Sequence, residues 1–249
     1  MRRAGRIVAQ VLQHLARMVR PGLTTADLDR EAERVRQPFG GEPAFKGYRG
    51  FPATLCTSVN DEVVHGVPGN RILREGDIIG LDYGVRLDGF YADAAVTVPL
   101  GRIPPATERL LRVTEEALRR GIAEVRVGQR LSNVSAAIQQ HVEGEGLSVV
   151  RQFVGHGIGR ALHEDPPIPN FGEPDRGPRL KVGMVLAIEP MVNLGSAEVE
   201  LLNDGWTVIT TDRQLSAHFE HTVAVTEHGA DVLTALTSGV EARVERRGD

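Results

Sequence analysis

The order in which two periodicities alternate along the chain restricts its fold more than any other feature. Residues 1–20 set Ile7, Val8, Val11, Leu12, Leu15, Met18 and Val19 at helical spacing among Arg2, Arg3, Arg6, Gln10, Gln13 and Arg17, and Pro21-Gly22 stops the run. A second helix begins at Thr25, capped by Thr24 or Thr25, buries Leu28, Ala32 and Val35, and ends before Pro38. Residues 40–52 read as a loop. From Ala53 the period becomes that of strands, in ATLCTSVN and then GDIIGLDYGVRLDGFYADAAVTVPLG. After Pro104-Pro105 helical spacing returns over 106–125 and 131–145, followed by the strand-like LSVVRQFVGHG, MVLAIEP and AHFEHTVAVTE. Two helices and then strands thus occur twice, without a residue-level repeat. That order predicts an α+β fold in which helices cover one face of a curved antiparallel sheet. No Ser/Gly-rich linker divides the 249 residues, so residues 1–249 are expected to form one domain.

Composition excludes several functions. Lys and Arg total 29 against 33 Asp and Glu, a net charge of -4, which leaves no electrostatic footprint for direct nucleic-acid binding. Cys56 is the only cysteine, so there is no intrachain disulfide and no zinc site of several thiolates; a reducing compartment, the cytoplasm, is expected. No run of about 18 apolar residues could span a bilayer, and the charges of the opening segment are too closely spaced for a secretory signal, so no membrane association is expected. The basic amphipathic first helix could target a mitochondrion or lie on a membrane, but packing its apolar stripe on a core is the commoner use of this pattern.

Spacing also rejects several familiar sites. GHGIGR follows a strand-like run but has its third glycine at Gly159 with Arg160 next, so a dinucleotide fingerprint is not met. His163-Glu164 cannot open a zinc-binding HExxH helix, because position 167 is proline and Pro166-Pro167 would break the helix. There is no GxSxG elbow and no Walker loop, and Cys56, in an apolar strand with no adjacent base, reads as a buried thiol.

The informative residues are carboxylates where carboxylates are costly. With RLDG as the turn of a hairpin, folding about a point between Leu87 and Asp88, Asp82 and Asp93 are expected to oppose each other directly, and Asp88 to be a turn residue. Two ionised carboxylates at that separation call for a cation between them, and a pair of divalent ions would serve. Glu189 closes the apolar run MVLAIEP, and Glu220 lies in SAHFEHTVAVT on the strand face of His218 and Thr222. Buried glutamates need a cationic partner. His156, between Gly155 and Gly157, is expected to leave room for a ligand beside the backbone, and His163 follows seven residues later. Two aspartates, two glutamates and a histidine match the preference of Mn(II), Fe(II), Co(II) or Zn(II).

VNDEVVHGVP, DYGVRLDGFYAD, GHGIGRALHEDPPIPNFG, the Glu-Pro of AIEPMV and SAHFEHTVAVT resemble, in order and spacing, the motifs of type I methionine aminopeptidases, over nearly the whole chain. The resemblance implies the pita-bread fold, two pseudo-twofold halves around a dinuclear metal site, and removal of the initiator methionine from nascent polypeptides with a small second residue. It implies two divalent ions (Co, Mn, Fe or Zn), with Asp82 on one, Asp93 and Glu220 bridging both, and His156 and Glu189 on the second. Glu189 would also act as general base, His163 would contact the scissile carbonyl and His65 the region of the scissile nitrogen. Tyr48, Phe51, Cys56 and Trp206 would line the methionine pocket. Departures are Phe51 where tyrosine is common, Leu162 for phenylalanine, His218 for glutamine, and Ala94 for a small hydroxyl residue. The implied setting is cytoplasmic, near the ribosome, as a monomer.

The same fold serves prolidase-like enzymes, which commonly carry an extra N-terminal domain, and a prolidase-like hydrolase acting on Xaa-Pro bonds is the enzymatic alternative. Only 25 residues separate His163 from Glu189, too few for the helical insertion of the type II enzymes. A non-catalytic binding module is the third reading, although such relatives typically lose ligands and all five are present here.

Overall fold

The computed structural model describes residues 1–235; the one-domain expectation extends to residues 236–249, which lie outside the described residues. Helix α1 (Arg2–Met18) and helix α2 (Thr25–Arg36) open the chain. The Thr24 side chain accepts from the Asp27 N–H while the Asp27 carboxylate accepts from the Thr24 N–H, a reciprocal cap that fixes where α2 starts. The first strands are β1 (Glu42–Pro43), β2 (Leu55–Val59), β3 (Glu62–Val64), β4 (Ile78–Leu87) and β5 (Phe90–Pro99). Helices α3 (Pro105–Ala123) and α4 (Ser132–Gly144) repeat the opening pair. There follow β6 (Ser148–Val149), β7 (Gly155–Gly157), β8 (Glu164–Ile168), β9 (Val185–Ile188), β10 (Met191–Asn193), β11 (Val199–Leu201) and β12 (Val208–Thr210). Strands β13 (Ser216–His218), β14 (Glu220–Thr226) and β15 (Gly229–Val232) complete the described chain.

A nine-stranded antiparallel sheet runs β1-β4-β5-β14-β9-β7-β8, with β2 on β4 and β15 on β14. Two small sheets, β13-β10-β6 and β11-β12-β3, flank it. Period-two alternation assigns its two faces. On one face Ile79, Leu81, Tyr83 and Val85 of β4 pack with Val8, Val11 and Leu15 of α1 and Leu28 of α2. On that same face Leu186 and Ile188 of β9 and Val223 and Val225 of β14 pack with Leu110 and Val113 of α3 and Val134 and Ile138 of α4. Each half therefore has two helices on its own stretch of one sheet, the duplicated arrangement expected from the pattern. The stripe of α1 is spent in this core: Val8, Val11 and Leu15 have no exposure, each burial contributing about 1.5–3 kcal/mol. Among the described residues no helix is long and apolar enough to cross a membrane.

The opposite face is left for other residues. The segment expected to be a loop before Ala53 is more ordered than its sequence suggests. It contributes β1 to the edge of β4, then tightens into a turn in which Tyr48 N–H donates to Phe45 O, Phe51 N–H to Tyr48 O, and Gly47 N–H to Phe51 O.

Candidate active site

The β4–β5 hairpin supplies the first two acids, in a register different from the expected one. Asp88 and Gly89 form a two-residue turn with φ of 52° and 79°, so Leu87 pairs with Phe90, Gly84 with Asp93 and Asp82 with Ala95. Asp82 and Asp93 are diagonal neighbours rather than a directly opposed pair. The turn is centred one residue later than expected, which shifts the pairing by two; an even shift keeps every side chain on its face. Asp88 is the turn residue it was expected to be.

The second half brings its donors to the same face. Glu220 pairs with Ala95, so Ala95 has Asp82 on one side and Glu220 on the other. Across β14, Thr222 pairs with Ala187, and His156 of β7 pairs with Ala187 from the other side. Glu189 follows Ala187 by two positions, just beyond the end of β9. Asp82, Asp93, His156, Glu189 and Glu220 thereby converge from four strands and one strand end. Donor atoms of Asp93, His156 and Glu220 all lie within 4.8 Å of one another. His156 Nε2 is 3.8 Å from Asp93 Oδ2 and 3.6 Å from Glu189 Oε1.

The glycines beside His156 serve a different purpose from the one expected. A Cβ on Gly155 would sit 2.3 Å from the Ala187 carbonyl oxygen, and one on Gly157 would sit 2.3 Å from that of Asp165. The space is filled by neighbouring backbone, so these glycines let β8 and β9 close on β7 rather than admit a ligand. The close packing fixes His156, whose Nδ1 lies 2.8 Å from Gly157 O, leaving Nε2 toward the acids.

Electrostatics show what the cluster lacks. Burial pushes the Asp93 carboxyl up to about 7, and burial followed by repulsion from its acidic neighbours pushes Asp82, Glu189 and Glu220 well above the usual carboxylate range. Burial holds His156 down, so its Nε2 offers a lone pair. Behind the acids, the Thr222 hydroxyl lies 2.7 Å from Asp93 O and 3.3 Å from Oδ1, and accepts from Asp93 N–H. His218 is buried, its pKa pulled down to about 3 by burial and then by His65, and its Nε2 has no hydrogen-bond partner among the described residues while standing 3.7 Å from Glu189 Oε2. Four carboxyls whose ionisation is resisted, Asp93 and Glu220 buried and Asp82 and Glu189 half-buried, form with one neutral imidazole nitrogen a donor set that fits divalent cations.

These residues form the floor of a cavity of about 160 Å³. The other expected residues, Tyr48, Phe51, Cys56, His65, His163 and Trp206, line it as well. Phe51 meets Trp206 edge to face at 5.1 Å, and burial pushes the Cys56 thiol well up, so this wall is apolar and uncharged. His65, in left-handed backbone at φ 60°, meets Trp206 edge to face at 6.5 Å. Its pKa falls to about 4, through burial and then through His163. His163 Nδ1 is 2.9 Å from the Tyr48 hydroxyl, and burial, then His156 and Arg49, pull its pKa to about 4. Leu162 lines the cavity at the position noted as a departure. Sequence reasoning missed Phe45 and Arg49, which also line it; the one available signal, for Arg49, was a cation beside Tyr48 inside the glycine-bounded GYRG, and Phe45 had none.

Comparison with known proteins agrees with this geometry. The sequence profile described as metallopeptidase family M24 matches residues 1–227. Methionine aminopeptidase 1 of Bacillus subtilis is 55% identical, the match covering 95% of each chain, and methionine aminopeptidase of Clostridium perfringens is also 55% identical with 95% of each covered. The crystal structure of methionine aminopeptidase from Thermotoga maritima superposes with a TM-score of 0.94 at 45% identity, covering 95% of each chain. A prolidase from Pyrococcus furiosus shares the fold at a TM-score of 0.77 and 21% identity, with 94% of this chain and 62% of that one covered. The chain belongs to metallopeptidase family M24 and, within it, to the pita-bread methionine aminopeptidases.

Proposed function

We propose that this protein is a metal-dependent aminopeptidase that removes the initiator methionine from nascent polypeptides, preferentially when the second residue is small. The observation that carries the reading is the convergence of four carboxyls, two of them buried, and a neutral imidazole beside an apolar aromatic pocket. The 55% identical methionine aminopeptidases add to it.

Two divalent ions would be held, Asp82 binding one, Asp93 and Glu220 both, and His156 and Glu189 the second. Co, Mn, Fe and Zn all accept these donors. When bound, such ions supply Lewis acidity, lowering the pKa of water and polarising a carbonyl oxygen. Glu189 would take the proton of the attacking water and pass it to the leaving amine. With the Tyr48 hydroxyl donating to Nδ1 of His163, the ring proton sits on Nε2, which donates to the scissile carbonyl oxygen as negative charge develops there. His65 meets the substrate near the scissile nitrogen. Phe51, Cys56 and Trp206, with Tyr48, surround the methionine thioether with polarisable groups, which suits sulfur. The protein works as a monomer in the cytoplasm, near the ribosome, where new N-termini emerge.

Xaa-Pro hydrolysis is disfavoured, because prolidase shares only the fold at 21% identity. The test is release of free methionine from Met-Ala-Ser by the Mn(II)- or Co(II)-loaded protein, with an N-acetylated control and an Xaa-Pro peptide. Release from the free-amine methionine peptide alone is expected; cleavage of the Xaa-Pro peptide instead would transfer the chain to that activity.

A further inference from the structure

Four planar groups form a ladder that climbs from the acid cluster to the mouth of the cavity. The rings of His156 and His163 have centroids 4.2 Å apart, those of His163 and Tyr48 are stacked at 5.2 Å, and the Arg49 guanidinium lies 5.5 Å from the centre of the Tyr48 ring. Its two ends differ in exposure: His156 is buried, whereas Arg49 is open to solvent and still lines the cavity.

Arg49 is held at that rim by its backbone. Its φ of 49° and ψ of 22° are left-handed, an uncommon conformation for a residue with a side chain, and the flanking Gly47 and Gly50 also have positive φ. The hydrogen bonds of the turn, from Gly50 N–H to Gly47 O and from Phe51 N–H to Tyr48 O, lock Tyr48 and Arg49 into fixed relative positions. The guanidinium is unspent. Many surface arginines of this chain are engaged with carboxylates, as Arg34 is with Glu31 and Arg71 with Glu62. Arg49 has no such partner and no side-chain hydrogen bond among the described residues; its guanidinium contacts the face of Tyr48.

We propose that Arg49 is a specificity-determining residue that pairs with a carboxylate on the substrate chain beyond the scissile bond. The inference rests on the aminopeptidase reading. With the methionine side chain among Phe51, Cys56 and Trp206 and the scissile carbonyl at His163, the departing chain passes over Tyr48 and meets the guanidinium. Arginine presents a fork of donors matched to a carboxylate. The carboxylate has two sources, an acidic side chain at the third position or the free C-terminus of a short peptide.

The experiment measures kcat/KM of the Mn(II)-loaded protein on Met-Ala-Asp-Ser-amide, Met-Ala-Lys-Ser-amide, Met-Ala-Ser-Ser-amide and Met-Ala-Ser-Ser with a free C-terminus, for wild type, R49Q and R49K. Wild type is expected to favour the Asp over the Lys peptide by about fivefold at low salt, mainly through KM, with the ratio shrinking as salt rises, in keeping with an exposed ion pair. R49K is expected to retain part of the preference and R49Q to lose it. A preference for the free C-terminus over its amide that disappears in R49Q identifies the second source. Methionine release with no charge preference in wild type, or with the preference intact in R49Q, overturns the proposal alone. No release from any of the peptides overturns the aminopeptidase reading and this proposal with it.

Discussion

Asp82 and Glu220 stand on either side of Ala95, each its direct cross-strand partner. One alanine in β5 thus spans the gap between an acid from the first half of the chain and an acid from the second, and Asp93 lies two residues away on the same face. The β4–β5 hairpin alone brings Asp82 and Asp93 together, but the full donor set meets only when β14, β9 and β7 of the second half are paired onto it.

On the proposed assignment Asp93 and Glu220 hold the cations, whereas His163 contacts only the substrate, and substitution separates the two roles. Asp93→Asn and Glu220→Gln are expected to lose metal affinity and methionine release together, each by about a hundredfold or more, the scale at which ligands and their supports act. His163→Ala should keep metal and lose about a hundredfold in kcat, the loss typical of one oxyanion donor. Calorimetric metal titration beside the kinetic assay distinguishes the two classes; unchanged metal binding in Asp93→Asn would remove that residue from the site.

Removing the metal should invert the pH response of stability. In the metal-free fold Asp93 is raised to about 7, and Asp82, Glu189 and Glu220 well above the usual carboxylate range, so above pH 4 the folded chain holds protons that the unfolded chain has released. Stability therefore falls as pH rises through the folded values, by up to about 1.4 kcal/mol per pH unit for each carboxyl still protonated. His65, His156, His163 and His218 all have lowered folded pKa values, so their opposing effect lies below pH 6.5, the ordinary histidine value. Thermal melts of chelator-stripped protein should fall as pH rises from 6.5 through about 7, where Asp93 ionises, and metal-loaded protein should change much less. Metal binding at pH 7 should also release protons, read as a dependence of binding heat on the buffer's ionisation enthalpy.

Gly157→Ala probes the packing that fixes His156. Its Cβ would meet the Asp165 carbonyl oxygen at 2.3 Å, and backbone cannot yield as a flexible side chain does. The expected result is a loss of about 2–4 kcal/mol in denaturant unfolding together with weakened metal binding. A variant of wild-type stability and affinity would show that β7 and β8 tolerate separation.

Trp206 is held by Asp204. One carboxylate oxygen accepts from Trp206 N–H at 2.9 Å and Thr207 N–H at 2.8 Å, and the other accepts from the Thr207 hydroxyl at 2.5 Å. Asp204→Ala is expected to raise KM by about tenfold with a smaller effect on kcat, as a loosened pocket wall would, at the scale of one charged hydrogen bond. Trp206 is the only tryptophan, so its emission reports the change directly and should shift to the red. Asp204→Asn, which keeps one acceptor oxygen, should recover part of both effects.

The fold was legible because its two periodicities are clean: β4 alternates Ile79, Leu81, Tyr83 and Val85 with Gly80, Asp82 and Gly84, and α1 carries an unbroken apolar stripe. The register of the hairpin was less legible, because RLDG allows more than one centre and only the left-handed backbone of Asp88 and Gly89 chooses between them. The face of Asp82 and Asp93 survived that ambiguity because two candidate registers differ by an even number. The role of Gly155 and Gly157 was hidden, since a glycine beside a histidine looks alike whether it admits a ligand or a neighbouring strand. Phe45 and Arg49 were missed for a related reason: a turn of hydrogen-bonded glycines is written in φ values, and residues within it have no period to reveal which way they point.

Metal dependence of the reaction is the most direct measure of the account. Chelator-stripped protein, verified free of metal by elemental analysis, is titrated with Mn(II) while bound metal and methionine released from Met-Ala-Ser are recorded in the same samples. The account predicts no release at the start and a rise in release that follows occupancy of the Asp82, Asp93, His156, Glu189 and Glu220 cluster, reaching two ions per chain. Full release by the metal-free protein would contradict it.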